Sequence, residues 1–439
     1  MDPNINKQSN INHEFELIPN TSLSNNDFLL SDNTINNQNP FQLTLQQNDL
    51  PKMSSFSLTK PLKTFANCIY FNYFPSTTST KLNPYTLTTF KSTLPLYLFN
   101  TKYSEDEDLP NGFVSHNDIN KLHKRFINEL SKLILFTYRT NIKTPNKIFN
   151  TDCGWGCTIR ACQMLIAKGI IDHKIHQRGL NINNNNNSSS SSVQEQITSI
   201  IKETLLLFYD NDIPIHYCKD NRDFQYMLST LNNNETTVTP PFSIKNICAV
   251  TNCCNKFIAS QSVIEAFNDI SKQYLSHSMQ FIQVESTDIS QQYLHSCFFN
   301  DSNSNTCRMG IIFITFRFNY ITNHHEPSIT YIRRLFKHIH NNIGFISGST
   351  NRAYYFIGTC INTNDLIYLD PHFTHKALFS NFTSDTSSYT VKSLCKINSK
   401  HIAPHIQLGI LIKNENDYLT LISNIEELSK CCDFIHLSK

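Results

Sequence analysis

The chain has 439 residues, 39% of them hydrophobic, and a formal net charge of +2. Such a length can bury a large core and by itself suggests two or three domains. The near-neutral charge argues against a nucleic-acid binder, which shows a basic stripe interleaved with aromatics; the one short basic run, Arg333-Arg334-Leu335-Phe336-Lys337, reads as the solvated side of a helix.

Residues 1–60 are rich in Asn, Ser and Gln with scattered apolar positions, too few to offset the entropy of ordering, and are expected to be a disordered arm. A folded domain is expected over 61–430. Its first helix is predicted at Lys121–Tyr138, with Tyr138 readable as a core aromatic beside it. Next, Thr151-Asp152-Cys153-Gly154-Trp155-Gly156-Cys157-Thr158-Ile159-Arg160 uses the only Trp and two of the ten Gly beside Cys157. The following residues, through Ile171, read as a helix. A Cys at a helix mouth has its thiolate favoured by unpaired backbone N–H groups, and flanking glycines let a substrate approach the sulfur. A buried structural cysteine is the competing reading.

Asn181–Ser192 is an Asn/Ser tract, expected as a surface loop. Helices are then predicted at Gln261–Leu275, Pro327–Asn341 and Tyr418–Lys430, and strands at Met309–Phe318, Tyr354–Ile361, Leu366–Leu369 and Ile406–Ile412. Asn362-Thr363-Asn364-Asp365 reads as a hairpin turn. The strand from Asp365 ends in Asp370-Pro371-His372, where residues two apart in extended chain face one side, so Asp370 and His372 can serve a thiol as orienting group and base. An ordinary Asp-Pro turn is the alternative. Residues 431–439 are expected to be a flexible tail. No internal repeat is visible.

Fourteen cysteines would be a disulfide framework only in an oxidising compartment. Met1–Asn10 lacks the basic and apolar parts of a secretion signal, and no apolar run approaches the ~20 residues of a membrane span. A cytoplasmic protein with reduced thiols is expected, in which sequons such as Asn381-Phe382-Thr383 go unmodified. Neither metal nor cofactor is expected: Cys153/Cys157/Cys162, Cys248/Cys253/Cys254 and Cys431/Cys432 contain no Cys-x-x-Cys, and His173/His176 and His338/His340 lack a cysteine pair at finger spacing. Cys153 and Cys162, close in sequence to Cys157, are candidate redox partners.

Three segments together resemble the autophagins, papain-like cysteine proteases that process the ubiquitin-like modifier of autophagy: Phe136-Thr137-Tyr138-Arg139, Asp152–Met164 around Gly154-Trp155-Gly156-Cys157, and Ala353–His372 with Tyr355-Phe356-Ile357-Gly358 and Ile367-Tyr368-Leu369-Asp370-Pro371-His372. Weaker similarity extends over roughly residues 65–428. The resemblance implies an α+β papain-like fold, a mainly antiparallel sheet with packed helices and a small inserted subdomain near 193–290. It implies Cys157 as nucleophile, His372 as general base and acid, Asp370 as the residue orienting His372, and Tyr138 in the oxyanion hole. Trp155 would be a cleft wall, though as the sole Trp it reads equally as core. The implied reaction is cleavage after a glycine near the modifier's C-terminus and hydrolysis of the glycine–phosphatidylethanolamine amide. The implied partner is that modifier, as precursor and as lipid conjugate, with transient membrane-surface contact through the lipidated form and a monomeric enzyme.

The family's Trp-Gly-Pro on the cleft cover is Phe257-Ile258-Ala259 here, its Gly-Gly-Lys-Pro loop is Ser347-Gly348-Ser349-Thr350, and a His before the Tyr is Tyr354. These departures bear on gating and leave the catalytic trio. Family members also carry an aromatic-x-x-aliphatic motif that adds a strand to the modifier; the matching pairs are Phe15 with Ile18 and Phe434 with Leu437. Rival readings are a catalytically weak scaffold that binds the modifier, and a transglutaminase-like acyl transferase, which also uses Cys, His and Asp.

Overall fold

The computed structural model describes residues 79–104, 116–144, 148–180, 190–232, 234–274, 279–285, 288–299, 310–317, 326–349, 351–378, 386–430 and 435–438. The N-terminal arm with Phe15 and Ile18, most of the Asn/Ser tract, Thr350 and Phe434 lie outside them.

In chain order the strands are β1 (Ser79–Leu82), β2 (Leu96–Leu98), β3 (Thr101–Tyr103), β4 (Tyr138–Thr140), β5 (Ile213–Pro214), β6 (Thr237–Val238), β7 (Gln280–Val284), β8 (Asp288–Ser290), β9 (Gly310–Arg317), β10 (Asn342–Ser349), β11 (Arg352–Cys360), β12 (Asp365–Leu369), β13 (Thr374–Lys376), β14 (Leu394–Asn398), β15 (His405–Ile412) and β16 (His436–Ser438). The α-helices are α1 (Leu87–Thr93), α2 (His116–Ser131), α3 (Cys157–Gln177), α4 (Ser190–Leu206), α5 (Gln225–Thr230), α6 (Ile244–Thr251), α7 (Ser260–Tyr274), α8 (Gln291–Phe299), α9 (Glu326–His338) and α10 (Glu415–Ser429).

The run Ile311-Ile312-Phe313-Ile314 in β9 is apolar at every position, the pattern of a strand covered on both faces, and all four residues are buried. The main sheet runs β1-β14-β12-β11-β10-β15-β9-β7, with β2 on β11 and β3 on β2. Its pairings are antiparallel except β7 with β9. Side chains alternate between two cores with period two. Ile311, Phe313, Tyr355, Ile357, Ile367 and Leu369 face α3, α4, α6 and α7. Ile312, Ile314, Tyr354, Phe356, Leu366 and Tyr368 face α8, α9 and α10. Helices on both faces of a mainly antiparallel sheet make the α+β arrangement that the resemblance implies.

Helix α3 is buried along almost its whole length, which its sequence foreshadows by lacking a polar stripe. It lies against β10, β11 and β15, where Gly409 leaves room for Leu165: a Cβ there would stand 2.8 Å from Leu165 Cδ2. Leu165→Ala should therefore cost about 2–5 kcal/mol of stability, read as a lowered denaturant midpoint at constant slope.

Several expectations need correcting. The helix expected at Lys121–Tyr138 ends at Ser131: Lys132 and Leu133 bond back three residues, and Leu135 N–H and Tyr138 N–H then go to Tyr389 O and Pro371 O at 2.8 and 3.0 Å. Tertiary partners draw this apolar stretch out of the helix, so Tyr138 opens a strand. The Asn/Ser tract is helical from Ser190. Residues 193–290 have no separate core, since Ile197, Ile200, Phe208, Phe242 and Phe267 share one cluster with Leu165 and Ile166, and β7 belongs to the main sheet. The expected tail is not free over 435–438: β16 pairs in parallel with β8, opposing Leu437 to Ile289, and Ile435 is buried in the second core. An alternating apolar pair at 435 and 437 finds cover there.

Candidate active site

The hairpin strand β12 delivers Asp370, Pro371 and His372 to the edge of the first core. With φ of Pro371 restrained, Asp370 folds its carboxylate back on the residue two ahead. Its Oδ1 accepts the His372 backbone N–H at 3.0 Å and lies 2.6 Å from His372 Nδ1. Burial pushes the Asp370 carboxyl up, but the His372 charge and hydrogen bonds, with Arg352, hold it below its ordinary value. His372 is 2% exposed. Burial alone would pull its pKa down; the Asp370 charge and hydrogen bond and the contact with Cys157 outweigh that and raise it to about 9. With Nδ1 engaged by Asp370, Nε2 is the nitrogen left for Cys157.

Cys157 is the first residue of α3. The chain arrives through a tight turn in which Trp155 and Gly156 N–H both bond Asp152 O, at 3.2 and 2.9 Å, and Gly154 takes φ +84°, a left-handed conformation that only Gly adopts freely. Gly156 caps the helix without a side chain. A Cβ on Gly156 would lie 2.6 Å from Asp152 Oδ2, so Gly156→Ala should force the turn apart and lower stability by about 1–3 kcal/mol. Thermal unfolding beside an activity assay checks this. Burial pushes the Cys157 thiol up, but the His372 hydrogen bond and charge, the Ala353 backbone and the Tyr138 hydroxyl bring it below its ordinary value. A lowered thiol beside a raised imidazole is a thiolate–imidazolium pair, a nucleophile with its proton donor in place.

Tyr138 reaches the sulfur from β4, which pairs in parallel with β13 just past His372, setting Tyr138 opposite Thr374. Its ring meets His372 edge-on at 5.4 Å, and burial with the nearby thiolate pushes its phenol well above the ordinary value. Tyr138, Cys153 and Cys157 form one small buried cluster with Ala353 against it. The hydroxyl can therefore donate to negative charge that develops beside the sulfur.

The structure thus brings together Cys157, His372, Asp370 and Tyr138. It does not bring Trp155 or Phe257 into that group. Trp155 is buried, with Nε1–H bonded to Thr151 O at 3.1 Å and its ring edge-on to Phe149 at 5.3 Å, which makes it an anchor beneath the turn. Phe257 is 58% exposed and lines a separate cavity of about 410 Å³ with Val250, Cys253 and Lys256. Cys153 and Cys162 fall in different clusters, the latter with its sulfur 4.0 Å from Ser260 O. Ala353, the second residue of β11, and Tyr354, whose ring lies 5.3 Å from His372, were named within the third segment but given no part in the catalytic group. Among the described residues there is no group of three His, Cys, Asp or Glu able to hold a metal ion, and no helix is long and apolar enough to cross a membrane.

The peptidase C54 catalytic domain family matches residues 123–424, a span that contains all four site residues. The chain is similar to the Xenopus tropicalis protein named cysteine protease ATG4C, 22% identical over an alignment of 369 positions that covers 76% of this chain and 79% of that protein. It is also similar to the probable cysteine protease ATG4 of Debaryomyces hansenii, 35% identical over 80 residues, covering 18% of this chain and 15% of that one. For the Xenopus laevis cysteine protease ATG4B the figures are 32% over 110 residues, 24% and 28%. The short matches cover less than a third of the relatives concerned, while the family match takes in more than half of this chain. With its sheet, helix and thiol–imidazole pair arranged as described, the chain belongs to the peptidase C54 family of autophagin cysteine peptidases.

Proposed function

We propose that the protein is a cysteine endopeptidase that cleaves the ubiquitin-like autophagy modifier after its C-terminal glycine and frees the same glycine from phosphatidylethanolamine. The observation that carries this reading is the 2.6 Å contact of His372 Nδ1 with Asp370, on an imidazole whose charge helps to lower the Cys157 thiol. In this mechanism the Cys157 thiolate attacks the glycine carbonyl carbon. The resulting oxyanion is held by the Cys157 N–H and the Tyr138 hydroxyl. His372 passes its proton to the departing amine nitrogen, leaving a thioester, and then takes a proton from the water that hydrolyses it. Both leaving groups are amines on a glycine acyl group, so one site serves both tasks.

The names of the relatives, cysteine proteases of the ATG4 type, support the substrate class. The partner is the modifier, free or lipid-linked, met in the cytoplasm by a monomeric enzyme that touches membrane through the conjugate. Phe257, exposed on the separate cavity, would meet substrate away from the reacting atoms. Leu437 would have to leave β8 before it could add to another sheet, which favours Phe15 and Ile18 as the modifier-binding pair.

The test is release of a C-terminal extension from purified modifier by wild type and by Cys157→Ser at matched concentration. Release by wild type alone upholds the reading. No release by either, with binding retained, would replace it with a modifier-binding scaffold.

A further inference from the structure

Asp152 lies beneath the nucleophile turn, fully buried. Its Oδ1 accepts the Arg139 backbone N–H and its Oδ2 the Arg160 Nε–H, both at 2.6 Å. Arg160 stands on α3 one turn beyond Cys157 and also bonds Asp210 Oδ1 at 3.0 Å and Gln163 Oε1 at 3.1 Å. Arg139 follows Tyr138 in β4. One carboxylate therefore ties the strand of Tyr138 to the helix of Cys157.

Strand alternation gives the tie its meaning. Successive N–H groups of a strand point to opposite sides. In β4 that of Tyr138 goes to Pro371 O at 3.0 Å, in the loop that carries His372, and that of Arg139 goes to Asp152, in the turn that carries Cys157. The strand is a spacer between the two halves of the site, and Asp152 is its fastening on one side. Enclosing a carboxylate and a guanidinium is costly, and an apolar pair of like volume often serves stability as well or better. A gain in geometry would account for the pair.

We infer that Asp152 is a positioning residue: by clamping Arg139 N–H and the Arg160 guanidinium it sets the Tyr138 hydroxyl against the Cys157 sulfur, so that the oxyanion donor is in place before substrate arrives. The inference rests on the reading of Tyr138 as that donor. A misplacement of about 1 Å in such a donor costs on the order of 10²-fold in rate.

The experiment is a double-mutant cycle of wild type, Tyr138→Phe, Asp152→Asn and the pair, with kcat and KM measured for release of a C-terminal extension from purified modifier. Tyr138→Phe alone should lower kcat by about 10²-fold, and Asp152→Asn by about 10- to 10²-fold with KM within about twofold. In the Tyr138→Phe background, Asp152→Asn should cost less than about threefold, because the donor it positions is already gone. Losses that multiply, or a loss confined to KM, would overturn the inference and leave the oxyanion reading standing. A Tyr138→Phe variant as fast as wild type would overturn the oxyanion reading itself. Should Asp152→Asn not fold, Arg160→Lys carries the same cycle, since it keeps the cation but removes the fork. An unchanged pH profile of Cys157 alkylation would show that the thiol–imidazole pair is intact in each variant used.

Discussion

His372→Ala should lower kcat/KM for the modifier extension by on the order of 10⁴- to 10⁶-fold, and adding Cys157→Ser to it should cost almost nothing more. The reason is that the two side chains form one ionised unit. The imidazole, raised to about 9, holds the thiol low, and the thiolate in turn helps to hold the imidazole high. Without the imidazole the thiol reverts toward its burial-dominated, protonated state, and without the sulfur the imidazole, still held charged by Asp370, has no nucleophile to serve. A second deletion then has nothing left to remove. Single-turnover rates of the two single variants and the double variant would check this. A double variant far slower than both singles would show that Cys157 and His372 act in separate steps.

Asp370→Asn should have the second-largest effect and a distinct signature in pH. The reactive form needs Cys157 ionised and His372 protonated, so kcat/KM rises on the acid side as the thiol ionises and falls on the alkaline side as the imidazole loses its proton at about 9. The Asp370 charge is the largest influence raising His372, opposed by burial. Without that charge, burial dominates and the alkaline limb should move below about 6.5, the ordinary imidazole value. The amide also presents the wrong partner to Nδ1, and a comparable exchange elsewhere lowers kcat by on the order of 10⁴. The same linkage has a sign in stability. A histidine raised by folding stabilises most below its unfolded pKa, and loses that contribution as pH rises through about 9. The Cys157 thiol, lowered by folding, contributes with the opposite sign as pH rises, so the two offset across this range and stability does not report on the pair. A kcat/KM profile on both proteins decides it. An unmoved alkaline limb would mean that Asp370 does not set the His372 charge.

The parts of the site that could be read in the sequence were those set by local chemistry. Glycines around Cys157 signalled a tight turn at a helix mouth, and the helix begins at Cys157 as expected. Asp370 and His372 were legible because residues two apart share a side, and Pro371 narrows what the chain between them can do. β9 was legible from the unbroken apolar run Ile311–Ile314, and β15 from Ile406, Leu408 and Ile410 alternating with Gln407 and Gly409. What stayed hidden depends on partners far away in the chain. Nothing within Leu133–Tyr138 says that its amides will bond Tyr389 O and Pro371 O in place of a further helical turn. Trp155 read equally as cleft wall or core, since a single aromatic has no periodicity to place it; the choice is made by Phe149 and Thr151. Asp152 and Arg160 were in view within the motif, yet a buried carboxylate–guanidinium pair has no signature that separates it from two surface charges until the fold encloses both. β16 was hidden because three residues are too few for a period.

The pairing of β4 with β13 has a bearing on how the enzyme is made. Thr137 and His375 meet across this contact although they are 238 positions apart. Chains emerge from the ribosome N-terminus first, and contacts between distant segments close late. The nascent chain therefore carries Cys157 long before it has the imidazole that ionises it, and β4 lacks its parallel neighbour until β13 has been synthesised. A partly synthesised chain presents an ordinary thiol. The reactive sulfur comes into being only after the segment that carries His372 has been made and has joined the sheet.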